Sequence, residues 1–347
     1  MKGPVSESDP QEFPTPPEIR PPFFDDSLRA WVLSRYSDVM AAFHCPGLYP
    51  SGLNRERSAK APAPETLQKM RRETREALSP AQLRIWRRTL TAAARAHVRS
   101  MHETEPVDLV GSYSRPLSLM LATMVTGVEA EKAEQLYDIA EPISGSAAEP
   151  YDPVLKSGAK AANTRLEAHF RSGPEPLRSS GFVALSHTLP CLLANAWFVL
   201  LESPSQWRAL HRRPGLTARA VEELLRCSEL PRILFRQAAW DMEFNGARIR
   251  KGERIVLSVV AANRDPARFA QPNRVDIQRR RISQLALGAG PHSCVGAGLI
   301  RMAAVSILHP LLERFSQARL IEPVKWKGGS GFRYPASLCV RFDHERP

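Results

Sequence analysis

The sequence predicts a mainly α-helical protein with small β-sheets, an α+β fold, and three observations carry that expectation. From Pro64 to Leu210 nearly every segment has the helical period. Between Met242 and Val260 the pattern changes to short strands around a hairpin turn. A glycine-rich stretch then opens into an apolar helix, Val295 to Leu312.

The first residues are rich in proline (Pro4, Pro10, Pro14, Pro16, Pro17, Pro21, Pro22), so residues 1–23 read as an extended arm. Order begins near Phe24, and residues 24–347 read as one domain. Arg29 to Arg35 alternates as a strand does, and Tyr36 to Phe43 reads as a short helix with Ser37 as its N-cap. Breaks in the helical region fall at Ala148 to Pro153 and Ser172 to Pro176. Asn245-Gly246 sits between Met242-Glu-Phe244 and Ala247-Arg-Ile249, the composition of a type I′ hairpin turn, whose central residues both need positive φ. Lys251-Gly252 turns into a strand from Glu253 to Val260, and Asn263 to Arg281 is a loop full of Asp, Pro, Asn and Arg. There is no internal repeat, and no linker divides the chain.

A length of 347 residues with 43% apolar and 24% charged residues allows a sizeable core. The longest apolar run, Leu189 to Leu201, contains Pro190 and Asn195 and falls short of the roughly 20 residues of a membrane span. No apolar segment follows a basic start, so a soluble, cytoplasmic protein is expected. The five cysteines lie far apart, without the paired spacing of a zinc finger or a disulfide scaffold. A net charge of +12 attracts acidic partners, but no nucleic-acid-binding motif accompanies it.

Chemistry is concentrated in Leu287-Gly-Ala-Gly-Pro-His-Ser-Cys-Val-Gly296, where three glycines surround a cysteine just before a helix. Gly288, Gly290 and Gly296 permit tight turns and close backbone approach to a flat ligand. A thiol at a helix N-terminus is expected to have a lowered pKa, which suits a nucleophile or a metal ligand. His292, two residues from Cys294 in a turn, is poorly placed to act as a base on the sulfur, whereas ligation needs only the sulfur. The dinucleotide fingerprint fails because Ser293 occupies its third glycine position.

The stretch resembles the haem-binding loop of the cytochromes P450, F-G-x-G-x-H-x-C-x-G, with Leu287 where the aromatic stands. Glu223-Leu-Leu-Arg226 resembles that family's E-x-x-R helix, Arg274 matches the loop arginine that locks to it, and Ala261 to Pro266 is also similar. The resemblance runs from about Phe24 to Phe342. It implies the triangular helical P450 fold and haem b ligated by Cys294. Arg236 and His292 are the implied propionate partners, joined by Arg71, although Leu67 stands where the family has a histidine four residues earlier.

The family's oxygen-activating pattern, A-G-x-[DE]-T, is matched by Ala184-Leu-Ser-His-Thr188. Thr188 keeps the alcohol, Leu185 replaces the glycine and His187 replaces the acid, either as a proton relay or as a satisfied buried histidine. Pro190 removes a backbone donor and predicts a kink. Only Ser172 to Ser180 separates the helix ending near Arg171 from Gly181, which implies a trimmed lid and an open site, or one completed by a second copy in a homodimer. The resemblance implies oxygen insertion into a small apolar substrate, with electrons from a ferredoxin-type donor and its reductase. Lys69, Arg71, Arg72 and Arg75 are a docking surface or simply a solvated face. Peroxide-driven oxidation, dehydration or rearrangement, and a non-catalytic haem sensor, are the alternatives.

Overall fold

The structure, a computed structural model, describes residues 18–50, 64–102, 105–170, 177–280 and 282–343. Most of the expected N-terminal arm and all of the Ser172 to Pro176 break lie outside the described residues.

The helices are α1 (Tyr36–His44), α2 (Pro64–Ala77), α3 (Pro80–Ser100), α4 (Arg115–Thr126), α5 (Ala133–Ala148), α6 (Pro153–Glu167), α7 (Ser179–Leu201), α8 (Pro204–Arg212), α9 (Thr217–Cys227) and α10 (Ala297–Arg314). Their starts follow local chemistry. Ser79 accepts from the Gln82 N–H ahead of α3, and Asp152 accepts from Val154 and Leu155 ahead of α6, each followed by proline at the first helical position. The Ala148 to Pro153 break separates α5 from α6 as expected.

The strands are β1 (Phe23–Asp25), β2 (Ala30–Leu33), β3 (Leu48–Pro50), β4 (Val107–Asp108), β5 (Ile233–Ala238), β6 (Met242–Phe244), β7 (Ala247–Ile249), β8 (Arg254–Ser258), β9 (Gln317–Leu320), β10 (Trp326–Gly328), β11 (Arg333–Pro335) and β12 (Cys339–Asp343). They form a five-stranded sheet, β1-β2-β8-β5-β3, a three-stranded sheet, β4-β12-β9, and two hairpins. β6 and β7 meet at Asn245 and Gly246, with φ of 51° and 88°, as the turn requires. β2 runs parallel to β8, Trp31 opposite Ile255, so the N-terminal strands are fixed by the C-terminal half.

The first helix corrects one expectation. Its N-cap position is Arg35 rather than Ser37, and the Tyr36 N–H donates to Asp265 Oδ2 at 2.8 Å. A carboxylate from the distant loop supplies the partner that a local hydroxyl was expected to give.

α7 runs through the core. All residues from Leu189 to Leu201 are buried, and an all-round apolar helix is stable only with neighbours on every side. Its length and composition would suffice for a membrane span, yet 83% of its most apolar window is buried inside the protein. Within Leu189–Leu201 the polar side chains are bonded: Asn195 Nδ2 donates to Cys191 O at 3.0 Å and Arg333 O at 2.9 Å, and Trp197 Nε1 to Ser114 Oγ at 3.0 Å.

A second anchor is the Glu223–Arg226 pair on α9, both side chains fully buried. Arg226 donates to both Glu223 oxygens at 2.8 Å and to the carbonyls of Asn263, Pro272 and Arg274. The arginine that completes this knot is Arg279, whose Nε lies 3.2 Å from both Glu223 oxygens, and not Arg274. Arg274 turns its carbonyl toward Arg226, which sends its side chain outward to Gln271 Oε1 at 3.2 Å.

Candidate active site

The loop before α10 is built as a tight cradle. Its entry is pinned where the Leu285 N–H donates to Asn263 Oδ1 at 2.8 Å. Gly288 and Gly290 have φ of 67° and 66°. A Cβ at Gly290 would stand 2.5 Å from the Phe43 carbonyl oxygen, so this position admits only glycine, and α1 seats directly against the loop. The Cys294 N–H donates to Leu287 O at 2.8 Å, which returns the sulfur to the mouth of the cradle.

The Cys294 thiol differs from expectation: its pKa is raised, not lowered. Burial dominates, and it is opposed by the Gly296 N–H donated to the sulfur and by the charges of Arg301 and Arg71. The helix terminus is too small an effect to overcome desolvation. A cation bound to the sulfur would reverse this, since a coordinating thiol is deprotonated outright.

Arg301 is paired with Glu222 at 2.5 Å, but three further basic groups beside the cradle have no acidic partner among the described residues. Arg71 reaches from α2 to donate to Ser293 O at 2.9 Å and Ser293 Oγ at 3.2 Å. Arg236 on β5 is only 5% exposed, yet among the described residues its guanidinium donates only to its neighbour's carbonyl, Phe235 O, at 2.9 Å. Its Nε has no partner, and its charge lies over the Phe43 ring at 5.3 Å. Burial holds its pKa down to about 10. His292 is held below its usual range by burial and by the charges of Arg236 and Arg71, so the three groups converge. Buried cations are normally paired. This trio asks for a dianion.

Among the described residues no cluster of three or more His, Cys, Asp or Glu could hold a metal ion. A metal at Cys294 must therefore bring its other donors with it. A flat, dianionic iron porphyrin does so. The sulfur, the glycine cradle and the unpartnered Arg236 fit that group.

The segment matched to the family's oxygen-activating pattern forms a π-helical turn, Ala184–Thr188, within α7. It closes with the Leu189 N–H donating to Ala184 O, one residue wider than an α turn, which leaves room for the Pro190 ring where a kink was expected. Ala184 is exposed and Thr188 half-buried, whereas Leu185, Ser186 and His187 are buried. His187 thus leaves the face on which Ala184 and Thr188 open. Its ring stacks on Tyr137 of α5, with centroids 4.1 Å apart at 16°. Burial, aided by the charge of Arg115, pushes its pKa down to about 4. The imidazole is neutral at working pH.

Comparison with known proteins identifies the family. Residues 201–322 match the Cytochrome P450 family pattern. A Streptomyces protein named Cytochrome P450 105C1 is 31% identical over 332 residues, spanning 86% of this chain and 85% of its own. The chain belongs to the cytochrome P450 family. Another P450 relative, nocardicin C N-oxygenase of Nocardia uniformis subsp. tsuyamanensis, is 32% identical over 269 residues, 68% of this chain and 66% of its own. The fold superposes on the crystal structure of P450BioI in complex with hexadec-9Z-enoic acid ligated acyl carrier protein, with a TM-score of 0.83 at 22% identity, covering 94% and 95% of the two chains. This P450 is an oxidoreductase of the haem-thiolate monooxygenase type, and haem iron is its cofactor.

Sequence reasoning missed Ser293, Arg279, Tyr137 and Phe43. Ser293 receives Arg71 through its carbonyl as well as its hydroxyl, and a carbonyl is marked by no side-chain pattern. Arg279 lies five residues beyond the arginine that the motif suggested.

Proposed function

We propose that this P450 inserts one oxygen atom from dioxygen into a small, largely apolar organic substrate held between the cysteine cradle and the α7 turn. Residues 24–347 form the single haem-thiolate domain in this reading, and haem b is the cofactor. Cys294 Sγ is the metal ligand, with the Gly296 N–H tuning the sulfur. Leu287, Gly288 and Gly290 shape the floor. Arg236, Arg71 and His292 bind the two propionates, with Arg71 also bracing Ser293. The group supplies oxygen activation and one-atom transfer to a C–H bond or heteroatom. Ala184 leaves space on the open face, and Thr188 Oγ1 is the hydroxyl there that holds and passes a proton.

The observation that carries this reading is the buried Arg236, unpaired in Nε, converging with Arg71 and His292 on the Cys294 loop. The carbon monoxide difference spectrum of the reduced protein tests it. A thiolate-type spectrum is expected, and Cys294→Ser abolishes it; an unaltered spectrum in C294S overturns the assignment.

Electrons come from a ferredoxin-type donor and its reductase. The basic face of α2 supports this only in part, because Lys69 and Arg72 pair with Glu73 and Glu76 at 3.9 and 4.0 Å and Arg71 is turned to the cradle. A cytoplasmic location and a homodimer completed near the shortened segment before α7 belong to the same reading, and sedimentation at high concentration tests the second.

One observation favours a second reading, peroxide-driven chemistry. His187, the residue in the place of the family's acid, is buried and off the open face. NADPH-coupled turnover with surrogate ferredoxins, compared with turnover on hydrogen peroxide, separates the two.

A further inference from the structure

The π turn of α7 contains one polar group that its own fold leaves unsatisfied. The Ser186 hydroxyl donates to Phe182 O at 2.7 Å, and a hydroxyl has a single hydrogen to give. Its 2.9 Å contact with His187 Nδ1 must then run the other way, from the ring N–H to the serine oxygen. In a neutral imidazole that tautomer leaves Nε2 as a bare lone pair. Nε2 is buried and has no donor among the described residues.

The neighbours do not explain it. Tyr137 covers the ring by stacking rather than by hydrogen bonding. Arg115 lies over Tyr137 at 4.2 Å and is tied to Glu134 at 2.6 Å. Elsewhere in the same helix the buried polar side chains of Ser186, Asn195 and Trp197 are all bonded, so general looseness is not the cause. A buried acceptor without a donor is destabilising. Retained in mid-core, one residue before Thr188, it marks a place where a donor arrives from outside.

We propose that His187 Nε2 is a substrate-binding acceptor, reached when the Tyr137 ring moves aside, and that the substrate is a mainly apolar molecule carrying a hydroxyl or amide N–H. This rests on the reading of the Ala184–Thr188 turn as a wall of the substrate pocket, and it adds a polar requirement that the open face alone does not impose. A site built to hydrogen-bond a donor rejects the analogue that lacks one far more strongly than an apolar pocket rejects a methylene.

The test is equilibrium binding to the ferric holoenzyme, followed by calorimetry and the haem absorption shift, with matched pairs of probes. These are 1-dodecanol against 1-methoxydodecane, cyclododecanol against its methyl ether, and testosterone against its 17-methyl ether. The wild type is expected to favour the alcohol at least tenfold in one or more pairs. His187→Phe keeps a flat ring on Tyr137 and removes the acceptor. It is expected to erase the preference, leave the ether affinity within twofold, and melt at or above the wild-type midpoint. No preference in any wild-type pair, a preference that survives in H187F, or a lowered midpoint in H187F overturns the proposal. The carbon monoxide difference spectrum, recorded on each protein, reports separately on thiolate ligation at Cys294.

Discussion

Two buried arginines show how differently one residue type can be used. Arg226 is fully buried, and its guanidinium is answered by both oxygens of Glu223 and by loop carbonyls. Arg236 is almost as deeply buried, yet it has one bond to its neighbour's carbonyl and a nitrogen with no partner. The first is a knot that fixes the loop leading to the cradle. The second is a socket. A satisfied buried charge belongs to the fold, and an unsatisfied one points to a ligand.

The largest effect expected from this contrast follows Glu223→Ala. It strands Arg226 and Arg279 without their carboxylate, and denaturant unfolding should register a loss of about 3–5 kcal/mol. His187 extends the comparison to pH. It titrates near 4 when folded against 6.5 when exposed. As pH falls from about 6.5 to 4 the unfolded chain takes up a proton that the folded chain refuses, so the wild type loses stability relative to H187F, by up to about 3 kcal/mol at the acid end. Parallel stability curves for the two proteins across that window would remove His187 from the set of buried neutral groups.

Arg236→Met should behave in the opposite sense to Glu223→Ala. With no carboxylate left behind, the haem-free protein should unfold within about 1 kcal/mol of wild type or be stabilised. Haem retention, measured by transfer to apomyoglobin, should weaken by the roughly 1.5–3 kcal/mol of a charge-assisted bond. A large loss of apoprotein stability would make Arg236 a second knot. Smaller still is the difference between Arg279→Met, expected at about 1–2 kcal/mol, and Arg274→Met, expected within about 0.5 kcal/mol as for other exposed sites. Equal values would return Arg274 to the knot.

The two walls of the site were unequally legible in the sequence. The cradle was readable because glycine, cysteine and a following helix are local devices, and Gly290 adopts the positive φ that its place in the loop suggested. The Glu223–Arg226 pair and the Asn245-Gly246 hairpin were local in the same way. Relations that depend on tertiary placement were not. Asp265 replaces Ser37 at the start of α1 from 229 residues away, and burial outweighs the helix terminus at Cys294. On the α7 wall, a regular α-helix puts residues i, i+3 and i+4 on one face, which groups His187 with Ala184 and Thr188. The wider π turn carries i+3 off that face, and nothing in five residues of sequence announces it.

The seating of α1 against Gly290 also fixes an order of events in synthesis. Phe43 meets the cysteine loop, β2 pairs with β8, and Arg71 finds Ser293 222 residues later in the chain. At about 5–20 residues per second, the amino-terminal segment spends on the order of 10–50 seconds outside the ribosome before its partners are made. Its apolar strands and helix stay without their native partners during that interval, and the cradle that would hold the pigment cannot close until the cysteine loop has been made.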